Sequence, residues 1–297
     1  MLRKLTALAV AAGFVFAAGS ALAESTQAPL KHVNWSFSGP LGQYDQEQLQ
    51  RGFKVYREVC SQCHSLKLIA FHDLGERGGP FYEEKYPNAN DNPYVKAIAG
   101  SFKVPDIDTD TGDTIQRTAT SADSMPPPYP NDTAAKATLG AAPPDMSLLV
   151  KAREGGPDYV YNLVTAPGYI QPGSKTVTAY APTPACLDLP AGRYYNPYLL
   201  GDLSASMKKG CNAPVPVGGI IAMPPPLADG KVTFDDGKPS TIDQEGQDIA
   251  AFLQWASDPH MEERKQLGVS VMVFLLIFAG LLYGSYRTIW RGVDHHS

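Results

Sequence analysis

Four cysteines are all that this 297-residue sequence carries, and only Cys60 and Cys63 stand in C-x-x-C spacing. A zinc ribbon needs a second such pair, so that class is excluded. No Ser-His-Asp set, paired carboxylates or nucleotide-cradling glycine loop is legible, which removes the common hydrolytic and nucleotide-driven chemistries. Basic charge is also scarce. Between Glu24 and Glu263 there are 29 acids against 19 Lys plus Arg, a net of −10, whereas the whole sequence carries −5. That surplus excludes nucleic acid as a partner and would steer a basic protein toward the domain. Glycine and proline are plentiful instead, at 27 and 26 residues, and point to one loop-rich domain rather than a helical bundle.

The surviving motif is Cys60-Ser61-Gln62-Cys63-His64. C-x-x-C-H is the spacing by which a chain attaches a haem and ligates its iron at once. Cys60 and Cys63 would reach neighbouring vinyl groups, and His64 would turn its ring under the iron, so one covalently bound haem c is expected. The sixth ligand decides between electron transfer and ligand chemistry, and methionine favours the former. Met125 and Met223 are each followed by three prolines, which hold the preceding residue extended. Met223 is preferred, because Gly218-Gly219-Ile220-Ile221-Ala222 before it can line an apolar pocket. His72 lies too near His64 in the chain to cross to the opposite face.

The two ends place the domain. Residues 1–23 carry Arg3 and Lys4, an apolar run and Ala21-Leu22-Ala23, the pattern of a cleaved signal peptide. Leu267 to Tyr286 contains no ionisable acid or base, and twenty residues at 1.5 Å rise cover about 30 Å of hydrocarbon. The expected organisation is a signal peptide over 1–23, a periplasmic haem domain over 24–263, a transmembrane helix over 264–288 and a cytoplasmic tail over 289–297. Arg287 and Arg291 fit the inner side. The compartment is then the bacterial periplasm, with the chain held once in the inner membrane. Cys186 and Cys211, in a compartment that permits disulfides, are expected to pair, worth about 3 to 4 kcal/mol in the chain-entropy model.

Local patterns add detail. Asp45 opens an amphipathic run to Val59, with Leu49, Phe53, Tyr56 and Val59 along one stripe, so the haem attachment falls at a helix C-terminus. Thr241 with Gln244 reads as a capping box opening a helix to Ser257, whose buried face is Ile249, Phe252, Leu253 and Ala256. Residues 85 to 135 are expected to be mostly irregular. Within them Asp106, Asp108, Asp110 and Asp113 form an acidic stretch, either a solvated loop or a docking surface for a basic acceptor.

These residues resemble the cytochrome c1 family of the cytochrome bc1 complex. The resemblance runs through Arg51 to Ser65, Ala142-Pro143-Pro144-Asp145-Met146-Ser147, Gly156 to Val160, Tyr195-Asn196-Pro197-Tyr198, Ile221 to Leu227, Phe234 to Gly237, Phe252 to Ala256 and the terminal span. It implies a mainly α class I cytochrome c-type haem domain with long loop insertions plus one C-terminal transmembrane helix. It also implies His64 and Met223 as axial ligands, cytochrome b and the Rieske iron–sulfur protein as partners, cytochrome c as acceptor, and a dimeric complex. Residues 169–192 and 199–216 are insertions against that pattern, and Lys136 stands where the family places an arginine near the haem propionates. The runner-up is an independent membrane-tethered c-type cytochrome serving another oxidase or dehydrogenase.

Overall fold

The computed structural model describes residues 27–166 and 183–291, with the backbone of two short strands at 169–170 and 177–178 between them. The expected signal segment, 1–23, and residues 292–297 of the expected tail lie outside the described residues.

Helix α1 (Gln46–Glu58) begins where Asp45 accepts a hydrogen bond from the Gln48 amide at 3.1 Å, satisfying one of the donors a helix start leaves free. Leu49, Phe53, Val55 and Tyr56 are buried. The partner helix, α5 (Ile242–Ser257), starts at Thr241, whose hydroxyl accepts from the Gln244 amide at 3.2 Å. The reciprocal half of the expected capping box is not made: the Gln244 side chain donates to Asp248 Oδ1 at 2.8 Å instead. The two helices cross at Gly52, where a Cβ would stand 2.1 Å from the Asp248 carbonyl oxygen. Phe252 fills the crossing, with ring centroids 5.7 Å from Phe53 and 5.8 Å from Tyr56. Each such fully buried side chain contributes roughly 1.5–3 kcal/mol. Across the same contact Arg51 donates to Asp248 at 2.9 Å and to Asp236 at 2.7 Å.

The middle of the chain is irregular over somewhat more than half of residues 85 to 135, as expected, and between its loops it holds short regular elements that the proline and aspartate content conceals. Asn92 caps helix α2 (Pro93–Gly100), which has proline in its first turn. Strands β1 (Lys103–Ile107) and β2 (Thr114–Thr118) pair antiparallel, Lys103 opposite Thr118 and Ile107 opposite Thr114. Asn131 caps α3 (Asp132–Leu139), and Gly140 ends it at φ +74°, the left-handed conformation that glycine adopts without strain.

Helix α4 (Gly156–Thr165) packs on α5, where a Cβ at Gly246 would meet Thr165 Cγ2 at 2.2 Å. Strands β3 (Tyr169–Ile170) and β4 (Val177–Thr178) form a second antiparallel pair. A third pair joins β5 (Tyr194–Asn196) to β6 (Gly219–Ile221). Cys186 and Cys211 are bonded, with Cα atoms 6.0 Å apart, beside a small cluster of Leu187, Tyr195 and Leu203. Helix α6 (Met261–Ile289) follows Asp258 and Pro259, and its most apolar stretch has a mean hydropathy of 2.3. It is long and apolar enough to cross a membrane. Its base is tied to the body: Lys265 donates to the carbonyls of Phe37 (2.6 Å) and Gly42 (3.2 Å), and Glu262 accepts from the Tyr44 amide at 2.7 Å. The architecture is the expected one, mainly α with long insertions and a single C-terminal apolar helix.

Candidate functional site

The C-x-x-C-H segment coils at the end of α1. Cys60–Gln62 form one 3-10 turn, and the Cys60 carbonyl accepts from both the Cys63 amide (3.1 Å) and the His64 amide (2.8 Å). The intervening residues serve the helix end: Ser61 donates to the Arg57 carbonyl at 2.7 Å and Gln62 to that of Glu58 at 2.8 Å. Both carbonyls lie in the last turn, which lacks intrahelical donors. Neither cysteine is in a disulfide. Burial pushes the Cys60 thiol up to about 12, so in the folded chain it is a neutral thiol.

His64 is 9 % exposed. Its Nδ1 lies 2.8 Å from the Pro144 carbonyl, an acceptor only, so Nδ1 carries the hydrogen and Nε2 keeps a lone pair. Burial is the main reason its pKa is lowered, which favours the neutral ring. The loop supplying that carbonyl is itself clamped. Asp145 accepts from Ser65 (2.7 Å), from the Lys67 amide (3.0 Å) and from the Ser147 amide (2.9 Å), and the Met146 amide donates to the Ser65 carbonyl. Pro144 and Asp145 thus position the imidazole across 80 residues of sequence. Their type does not announce this role; only the pairing of His64 with a distant carbonyl reveals it. Met146 stands at a bend followed by turns over 147–150.

Met223 follows β6 and is half-buried, packed, like Cys60, against the main core. Met125 is 3 % exposed and enclosed by protein, its amide bound to the Ile69 carbonyl at 3.1 Å. Two thiols, an imidazole with a free Nε2 and the Met223 thioether are the donor types that a covalently attached haem takes. Lys136 is exposed on α3.

The acidic stretch is divided by the hairpin. Asp106 pairs with Arg117 at 2.6 Å, and the Ile107 amide and that guanidinium together lower its pKa. Asp108 turns into its own loop and accepts from the amides of Asp110 and Thr111. The carboxylates of Asp110 and Asp113 have no partner among the described residues.

A model described as the Cytochrome C1 family matches residues 35–293. Cytochrome c1 of Rhodospirillum rubrum is 38% identical over 291 residues, covering 96% of this chain and 97% of that protein. Cytochrome c1 of Blastochloris viridis is 37% identical over 303 residues, covering 98% and 97%. Cytochrome b/c1 of Bradyrhizobium diazoefficiens is 42% identical over 271 residues, covering 88% of this chain and 35% of that protein, so the chain spans about a third of that relative's length.

Proposed function

The chain belongs to the cytochrome c1 family, whose members carry a covalently bound haem c as a redox subunit of the cytochrome bc1 complex, and from that premise we propose that it accepts an electron from the Rieske iron–sulfur protein and passes it to a cytochrome c. Cys60 and Cys63 would hold the haem through thioether bonds, and His64 and Met223 would ligate its iron. When bound, the haem supplies a one-electron iron couple, and thioether ligation raises its potential. The observation that carries the reading is the His64 Nδ1 contact with the Pro144 carbonyl, which leaves Nε2 as the only free ring nitrogen.

The chain's own residues do the positioning. Pro144 holds the His64 ring in one tautomer and one orientation, as outer-shell carbonyls do for metal-bound histidines. Asp145 fixes Pro144 through its three hydrogen bonds to residues 65–67 and 147. Helix α6 crosses the inner membrane beside cytochrome b, with the haem domain in the periplasm. The segments proposed are a cleaved signal at 1–23, the domain at 24–263, the span at 264–288 and the tail at 289–297. The assembled complex is dimeric.

Isolation from native membranes in mild detergent tests this reading. A b-type haem is expected to co-purify with the c-type haem, and quinol-driven reduction of the c-type haem is expected to vanish when the Rieske protein is removed. A c-type haem alone, or reduction that persists without the Rieske protein, would refute the assigned handover.

A further inference from the structure

Apart from the haem ligands, one group of side chains has metal-ligand chemistry. His72, Asp73 and Glu76 form the only set of three His, Cys, Asp or Glu donors within mutual reach among the described residues, all three ligand atoms lying within 4.8 Å of one another. His72 Nε2 stands 3.1 Å from Asp73 Oδ1 and 3.6 Å from Glu76 Oε1. Zinc bonds of about 2.0–2.2 Å at a tetrahedral angle separate neighbouring donors by about 3.3–3.6 Å. Of the two observed separations, one falls just short of that span and the other lies at its upper limit.

Atoms outside the triad orient it. His72 Nδ1 lies 3.3 Å from the Ser121 carbonyl, which can only accept, so the hydrogen of a neutral ring sits on Nδ1 and the Nε2 lone pair faces the two carboxylates. A lone pair and two carboxylate oxygens are mutually repulsive, and the arrangement calls for a positive centre between them. The second oxygen of Asp73 is held by the Ala70 amide at 2.8 Å, which aims the first. A carbonyl behind the histidine and an amide behind the carboxylate are the outer-shell contacts that orient metal ligands. The triad opens on a cavity of about 400 Å³ whose lining includes Arg77, Asn88, Asn90 and Glu263. Glu263 belongs to the first turn of α6, so the cavity lies between the haem domain and the root of its anchor.

We propose that His72, Asp73 and Glu76 bind a divalent first-row cation, zinc being the probe of choice, with the cavity supplying solvent for the remaining coordination. One imidazole and two carboxylates suit such an ion better than calcium or magnesium, which take oxygen alone.

The alternative occupant is a proton on Nε2, giving an ion pair that needs no metal, and zinc titration separates the two. The intact membrane complex, stripped with a chelator, is titrated with zinc against a chromophoric competitor, in parallel with His72→Gln and Glu76→Gln. Glu76 accepts no backbone amide, so the second variant tests the site without disturbing the turn. The wild type is expected to bind one more zinc per chain than either variant, or to bind that equivalent at least about tenfold more tightly. Its zinc X-ray absorption edge is expected to report an imidazole nitrogen that His72→Gln removes. Equal stoichiometry and affinity in all three proteins, or no imidazole signature, would overturn the proposal and leave the protonated ion pair.

Discussion

Two side chains show how much a single atom's surroundings decide. Met223 offers the thioether assigned to iron, so Met223→Leu removes the ligand without adding charge. The midpoint potential is expected to fall, by on the order of 100 mV or more within the roughly 0.8 V that axial ligands span, and carbon monoxide is expected to bind the reduced protein. Potentiometry and the carbon monoxide difference spectrum check this, and an unchanged potential sinks the assignment. Glu245 is fully buried, with Oε1 accepting from Ser240 (2.5 Å) and the Val232 amide (3.1 Å) while Oε2 has no partner among the described residues. Burial raises its pKa above the ordinary 4.5. Between 4.5 and that raised value the folded chain holds a proton that the unfolded chain has lost, so stability falls as pH rises through the window. Glu245→Gln cannot ionise. Wild type is therefore expected to lose denaturant stability relative to the variant as pH rises above 4.5, and parallel profiles would remove Glu245 from the account. The C-x-x-C-H motif was legible because covalent haem chemistry dictates its spacing. Glu245 was not, because a carboxylate inside the core violates the pattern by which sequences are read, and neither were Pro144 and Asp145, whose roles depend on a contact 80 residues away.

At the level of elements, the α1–α5 crossing organises the domain, and Gly52 is its tightest point. Gly52→Ala would drive a methyl against the Asp248 carbonyl and Phe252 Cβ, at 2.1 and 2.6 Å, and backbone of two helices cannot swing aside as a flexible side chain would. Overpacking of this kind costs typically 1–3 kcal/mol, and a loss of about 3 kcal/mol is expected in chemical unfolding of the variant. A loss under about 0.5 kcal/mol would mean that the helices slide freely. Both helices were readable from their apolar stripes and from Asp45 and Thr241, since capping and periodicity are local. The crossing was not, because sequence does not say which glycine meets which carbonyl. Helices α2 and α3 and the β1–β2 hairpin escaped notice for a different reason. Their strands are largely exposed and their helices short, so neither produces a long buried stripe, and only Asn92, Asn131 and Gly140 mark the boundaries.

For the whole molecule, charge distribution governs encounter with a redox partner. The segment from Glu24 to Glu263 carries a net −10, yet the hairpin distributes its acids unequally. Arg117 neutralises Asp106 and also binds Asp123 at 2.6 Å, and Asp108 is spent on its own turn. Among the four aspartates this leaves Asp110 and Asp113 to project field into solvent, which narrows the docking reading from four residues to two. Field from exposed carboxylates acts on association rate and is screened within about 8 Å at physiological salt. Asp110→Asn with Asp113→Asn is therefore expected to slow the low-salt reaction with a basic cytochrome c and to flatten its dependence on ionic strength. Asp106→Asn leaves Arg117 paired with Asp123, so it removes one partly compensated charge and is expected to slow the same reaction less than the double variant does. Stopped-flow reduction of the acceptor across a salt series distinguishes the cases. If the double variant keeps the wild-type salt slope, the hairpin has no part in steering, and the net charge of the domain acts through some other face.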